Sequence, residues 1–362
     1  MELSISDFFW LIFAFGVGAC VGSLLNVVVA RLPLEKSILW PGSRCGSCFQ
    51  SISTFANLPI LGYIFLRGRC RTCGAGFSSR YMWVELGTAL GFAGLFWFDV
   101  LRNMHDLRFI RDAQYDMFLG WVPWRLWVYF FHHAMLMSLL IAAALTDLDG
   151  KVIPLPLTIT GTLLGLLCAT LMPWPWPNLG VPPFAAPDGD PWSLLEHSGK
   201  IARGVQDWPF WGPWPTWAPP GSWQLGLLTG LIGAAAGTFM MRAVKFLFET
   251  GMGKEALGLG DADLMMMAGA FIGWQMVVVS FFVGTFAALF FAEPMMLRGS
   301  GRALPFGPGL ATGVLITVLG WRWFGPVVQP YFFDWMPMFV GVTILGGGMF
   351  VASLVLGRRG SA

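Results

Sequence analysis

The stretch Gly253-Lys-Glu-Ala-Leu-Gly-Leu-Gly-Asp-Ala-Asp-Leu264 runs straight into Met265-Met-Met-Ala-Gly-Ala-Phe-Ile-Gly-Trp274. A polar, glycine-rich loop therefore delivers a carboxylate, Asp261, to the edge of an apolar run. Ionisable groups near or inside a bilayer are rare and are functional-site candidates by default. A loop Asp can also cap the helix that follows it, with the glycines Gly258 and Gly260 supplying the turn. A second carboxylate in a matching place would decide between the two readings.

The rest of the chain sets the context for that loop. Of its 362 residues, 56% are hydrophobic and only 12% charged, whereas soluble domains carry about 25% charged residues. Uncharged runs at 8–30, 126–146, 208–241, 264–292, 303–321 and 335–357 each reach the roughly 18 residues that indicate a transmembrane helix. Segments 81–98 and 155–172 also qualify. The fold class is an all-α polytopic membrane protein with about eight or nine transmembrane helices. A net charge of +2 implies no nucleic-acid partner. Glu2 and Asp7 precede the first apolar run and the basic residues follow it, which does not suit a secretory signal. The positive-inside tendency then predicts Met1 outside and Arg31 inside.

The chain reads in six parts. Residues 1–33 form a first transmembrane helix, 34–80 a cytoplasmic loop domain, and 81–172 further transmembrane helices. Residues 173–223 form an insert rich in Trp and Pro, 224–323 more transmembrane helices, and 324–362 an additional C-terminal one. Proline excludes a regular spanning helix and Trp favours the membrane interface, so the insert is expected to lie outside on the headgroups. The run 264–292 is about 44 Å long as one helix, against a hydrocarbon core of about 30 Å. A break at Gly273-Trp274 places Arg298, Arg302, Arg358 and Arg359 inside and Arg322 outside, and charge favours that break.

The loop at 34–80 carries Cys45-Gly-Ser-Cys48 and Cys70-Arg-Thr-Cys73, two Cys-x-x-Cys pairs separated by 21 residues. Each pair presents two sulfurs on a tight knuckle, and together they suit a tetrahedral zinc ion. Disulfides are the alternative, and a basic segment expected in the cytoplasm disfavours them. Four thiolates leave no open coordination position, so the metal is expected to be structural. Cys20 and Cys168, in apolar spans, read as small core residues. His132 and His133 point about 100° apart on a helix, which favours an interfacial or bundle-facing role over a shared metal.

The second carboxylate is Asp147, in Thr146-Asp-Leu-Asp-Gly-Lys-Val-Ile-Pro154, at the end of the run 126–146. The expected topology puts Asp147 and Asp261 on the same cytoplasmic face. Two carboxylates that meet share one proton, because like charges at short range do not both ionise easily. One then takes a proton from a water attacking a carbonyl while the other protonates the carbonyl oxygen. Asp149 and Asp263, two residues on from each candidate, are solvated neighbours, caps or substitutes for that role. No paired nucleophile with a His base and no phosphate-binding loop appears.

Taken together, these residues resemble the bacterial prepilin peptidases, membrane aspartic proteases with a Gly-x-Gly-Asp motif. The likeness spans roughly residues 10–320. It includes Gly22-Ser-Leu-Leu-Asn-Val-Val-Val-Ala-Arg-Leu-Pro33, the two cysteine pairs, Ser79-Arg-Tyr-Met-Trp-Val-Glu85, Asp147-x5-Ile153-Pro154, Gly258-Leu-Gly-Asp261 and Leu304-Pro-Phe-Gly-Pro308. The resemblance implies that Asp147 and Asp261 are catalytic, with Gly258 and Gly260 supporting the second. It also implies that Cys45, Cys48, Cys70 and Cys73 bind zinc. By the same resemblance, the substrate is a type IV prepilin or a type II secretion pseudopilin, cut at the cytoplasmic face of the inner membrane. The new N-terminus is then methylated from S-adenosylmethionine, for which the residues themselves show no site. The family usually has Lys where this chain has Asp263; the 173–223 insert and the last span are also departures. A membrane transporter or scaffold using the same carboxylates for ions or protons is the alternative.

Overall fold

The computed structural model describes residues 5–53, 55–105, 107–171, 216–218, 222–252, 258–297, 306–333 and 335–359. The insert expected at 173–223 and the Arg298 and Arg302 positions lie almost wholly outside the described residues. Among those described, long helices dominate. They are α1 (Ile5–Arg31), α2 (Arg80–Leu95), α3 (Trp124–Leu148), α4 (Leu155–Leu171), α5 (Trp223–Met252), α6 (Leu259–Leu297), α7 (Gly307–Phe333) and α8 (Trp335–Arg359). The chain is a multi-pass, all-α membrane protein. Among the described residues, five stretches are long and apolar enough to cross a bilayer: Ile5–Leu34, Arg80–Leu101, Trp124–Leu148, Trp223–Gly251 and Leu259–Phe290. α4 is apolar and, at 17 residues, shorter. Large side chains such as Phe239, Phe286, Phe290 and Leu163 face outward, as lipid rather than water as the surrounding medium would allow.

The chain divides into two compact units. One comprises Met1–Met104 with Ile110–Thr146, the other His105–Phe109 with Asp147–Ala362. In lipid, helices associate through close packing rather than by escaping water, so small residues mark their contacts. The first unit follows that rule. A Cβ on Gly18 of α1 would stand 2.8 Å from the Ala89 Cα of α2, and one on Gly22 would stand 2.7 Å from the Glu85 Cα. These two glycines, four residues apart, lie on one stripe of α1 and let it seat on the α2 backbone. Trp10, Phe13, Phe96, Trp127 and Phe130 fill the other end of the unit with edge-to-face ring pairs.

α3 turns both of its histidines inward. His132 and His133 are buried, and the His133 Nδ1 lies 2.5 Å from the Asp99 Oδ2. Asp99 sits in a π-helical extension of α2, Phe96–Leu101. The bundle-facing role expected for the histidines therefore includes a buried ionisable partner on the neighbouring helix. Cys20 departs from expectation: it is exposed on α1, and Cys168 is only half-buried. An apolar thiol meets no penalty facing lipid, so an apolar span does not by itself place a Cys in the core.

In the second unit α6 is the central element, packed on α4, α5 and α7. Gly233 of α5 and Gly269 of α6 meet backbone to backbone, each occupying the space a Cβ on the other would need. As a straight helix the 39 residues of α6 would extend about 58 Å. The backbone breaks at Gly273, where φ is 75° and ψ is 174°, a conformation open to glycine and costly for other residues. The break expected at Gly273-Trp274 is where the helix departs from regularity.

The packing rule can be checked on one helix. Gly18→Leu should destabilise the protein by at least about 1–3 kcal/mol through overpacking against α2, lowering its thermal midpoint in detergent. Gly16→Leu, two residues away with open space around it, should leave that midpoint nearly unchanged.

Candidate functional site

Asp147 is in the last turn of α3, where Gly150, at φ 69°, ends the helix and turns the chain toward Ile153 and Pro154. Asp261 is in the first turn of α6, directly after Gly258-Leu-Gly260. The two segments touch where Gly260 meets Ile153. A Cβ on Gly260 would stand 3.1 Å from the Ile153 Cβ, closer than ordinary packing permits. The missing side chain at Gly260 thus allows the Asp147 loop to lie against the start of α6. The result sets the carboxylates near enough that the charge on Asp147 acts on Asp261, and the Gly258 backbone amide bears on the Asp261 carboxylate. Asp261 is 8% exposed, while Asp147 is partly exposed.

Asp147 has a further partner that its sequence neighbours do not announce. The N–H of Gly307, the first residue of α7, donates to the Asp147 Oδ2 at 2.8 Å. A Cβ at that position would fall 2.7 Å from the same oxygen and 3.1 Å from the Asp147 Cβ. Gly307 belongs to the Leu304-Pro-Phe-Gly-Pro308 stretch noticed in the sequence, so that signal existed without its purpose. The neighbours behave differently. Asp149 lies 3.5 Å from the Lys151 Nζ, and Asp263 is reached by the charge of Arg242. Asp263 thus meets a compensating cation from α5. Chemically, the arrangement offers two carboxylates within electrostatic reach of each other, each with a backbone amide beside it.

The cysteine loop forms a second centre, within the first unit. The four sulfurs of Cys45, Cys48, Cys70 and Cys73 all lie within 4.8 Å of one another. Cys45 and Cys73 are 3.7 Å apart and Cys48 and Cys70 3.9 Å apart, close to the ~3.8 Å expected between thiolates 2.3 Å from a tetrahedral ion. The two knuckles are copies of one motif. Ser47 N–H donates to the Cys45 sulfur and Thr72 N–H to the Cys70 sulfur, each at 3.4 Å. Cys45 N–H bonds the Gln50 carbonyl and Cys70 N–H the Ala75 carbonyl. The turns close with positive φ at Phe49 and Gly74. The backbone amides of Cys73 and Thr72 hold the Cys70 thiol down to about 6, and those of Cys48 and Ser47 lower Cys45. Inward-facing amides that favour thiolates make this cluster able to hold a metal ion.

Comparison with known proteins matches both halves. The Bacterial Peptidase A24 N-terminal domain model matches residues 17–98, and the Type IV leader peptidase family model matches residues 217–292. A prepilin leader peptidase/N-methyltransferase of Myxococcus xanthus is 31% identical, over 81% of this chain and 65% of that protein. One of Klebsiella pneumoniae is 30% identical, over 74% of this chain and 87% of its own. One of Pseudomonas putida is 26% identical, over 88% and 93%. No solved structure matches the chain.

Metal uptake should depend on acid. Thiolates bind and thiols do not, so uptake of Zn²⁺ by metal-free protein should be strong at pH 7 and fall as acid returns protons to the four thiols. Metal analysis after dialysis at stepped pH reads this directly, and Cys45→Ser should lower the bound fraction at every pH.

Proposed function

Because this chain belongs to the type IV leader peptidase family, we propose that it is an aspartic endopeptidase whose catalytic pair is Asp147 and Asp261. The observation that carries the proposal is the meeting of these two carboxylates across the Gly260–Ile153 contact. Its substrates are prepilins, as the names of its relatives indicate; the family resemblance extends them to type IV prepilins or type II secretion pseudopilins, cut at the cytoplasmic face of the bacterial inner membrane. Family membership selects this reading over an ion-carrying transporter or scaffold.

The pair works with one proton between its two carboxyl groups. The ionised member removes a proton from a water molecule as the water oxygen bonds to the scissile carbonyl carbon. The protonated member gives its proton to the carbonyl oxygen, and a gem-diol results. A proton then passes to the peptide nitrogen, the C–N bond breaks, and the leader leaves with a new carboxylate. The pair titrates as a unit, so neither residue owns the acid or the base role outright. Gly307 positions Asp147 by holding one oxygen and leaving the other for chemistry.

Cys45, Cys48, Cys70 and Cys73 would hold a zinc ion. Four thiolates would leave no open position, so the ion would brace the loop and take no part in cleavage. The second activity is N-methylation of the new N-terminal residue, for which S-adenosylmethionine supplies the methyl group.

Asp147→Asn and Asp261→Asn should each lower cleavage of a prepilin in membranes by at least about 10³-fold, read by mass spectrometry of the new N-terminus. Asp149→Asn and Asp263→Asn should stay within about tenfold of the parent; total loss at either would reassign the working carboxylate. Gly307→Ala should depress kcat with little change in thermal midpoint, because the nearest atoms its methyl group meets are those of the Asp147 side chain.

A further inference from the structure

Beyond the Gly22 contact, α1, α2 and the cysteine loop line a common hollow. It is a partly open cavity of about 300 Å³, at the lower end of the ~300–1,000 Å³ typical of small-molecule sites. Its walls come from the last turns of α1, the first turns of α2 and the knuckle around Cys45, all within the first unit. A gap left by imperfect packing between apolar helices would be lined by apolar atoms. This one gathers Asn26, Arg31, Arg44, Tyr63, Tyr81 and Glu85.

We propose that this cavity binds the methyl donor, an adenosyl sulfonium, with Glu85 as its anionic anchor. The inference rests on the methyltransferase half of the function proposed above. Such a donor carries a cationic sulfonium and ammonium, a carboxylate, a ribose diol and a flat adenine ring. The cavity offers a complement to each class of group. Glu85 is the one carboxylate among the described residues of its lining, suited to a cation or to a diol. Arg31 and Arg44 supply the opposite charge for a carboxylate. Tyr63, Tyr81 and Phe77 supply aromatic faces for a purine.

The positions of these groups are fixed before any ligand arrives. The Glu85 Oε2 accepts the Ile60 N–H at 2.7 Å, which holds the loop to α2, and a carboxylate retains further acceptor sites beyond that one bond. Gly22 packs against the Glu85 Cα and sets its height. The Asn26 Nδ2 donates to the Tyr81 carbonyl at 3.0 Å and ties α1 to α2 at the cavity. The Arg31 guanidinium is steadied by the carbonyls of Ser37, Ile38 and Gly42 at 3.2–3.4 Å. None of these residues belongs to the carboxylate pair, so cleavage and methyl transfer would draw on separate sets of side chains.

The test is equilibrium binding of S-adenosylmethionine and S-adenosylhomocysteine to the purified full-length protein in detergent. The parent protein should bind both. Glu85→Gln, which keeps an acceptor for Ile60, should weaken S-adenosylmethionine by at least about tenfold. Ala30→Trp, which fills the cavity from α1 without touching the loop's hydrogen bonds, should abolish binding of both compounds. If both variants bind as the parent does, the cavity is not the site and the methyltransferase reading stands. If the parent binds neither compound, that reading falls together with the site.

Discussion

Gly260 and Ile153 approach so closely that a side chain on the glycine would crowd the isoleucine. That contact lets a loop leaving one helix lie on the first turn of another. Two carboxylates more than a hundred residues apart in sequence are thereby held together. Like charges resist such a meeting, and burial raises the cost of each. The fold sustains it with backbone donors: Gly307 N–H on Asp147, and the Gly258 amide facing Asp261. Neutralising both acids would relieve the repulsion and remove the chemistry with it.

Glycine has the same physical part elsewhere in the molecule. Where water would drive apolar helices together, lipid does not, and close backbone approach has to replace it. Gly18 and Gly22 seat α1 on α2, and Gly233 and Gly269 join α5 to α6. The loop outside the bundle relies on a different device. Its two knuckles repeat the same hydrogen bonds to Cys45 and Cys70, so a short polar segment with little core of its own is braced by four converging sulfurs.

Much of this was legible from residue types and spacing. Runs of uncharged residues locate the spans, because a bilayer imposes a length that no soluble core requires. The cysteine pairs announce a tetrahedral cluster, because few other uses need two Cys-x-x-Cys knuckles in one loop. Asp147 and Asp261 stand out as charges where charge is costly. The break at Gly273 followed from length and charge, and the glycine conformation supplies its cause. What stayed hidden depends on contacts between distant segments. Gly307 lies 160 residues from Asp147, and no periodicity connects them. Asp99 and His133 meet across two helices, yet each alone reads as an isolated polar residue in an apolar run. The cavity beside Glu85 is lined from two stretches that stood out in the sequence, Gly22–Pro33 and Ser79–Glu85, but nothing in their spacing says that they meet. Cys20 shows the converse, an apolar position that faces outward.

The central claim is that Asp147 and Asp261 act as one unit rather than as two independent contributors. A double-mutant cycle on prepilin cleavage addresses it most directly, with single-turnover rates measured for Asp147→Asn, Asp261→Asn and the combined variant. Residues that act as a unit are strongly non-additive, so the combined variant should be no slower than the slower single one. Losses that multiply, with the double variant slower by the product of the two single effects, would contradict the account.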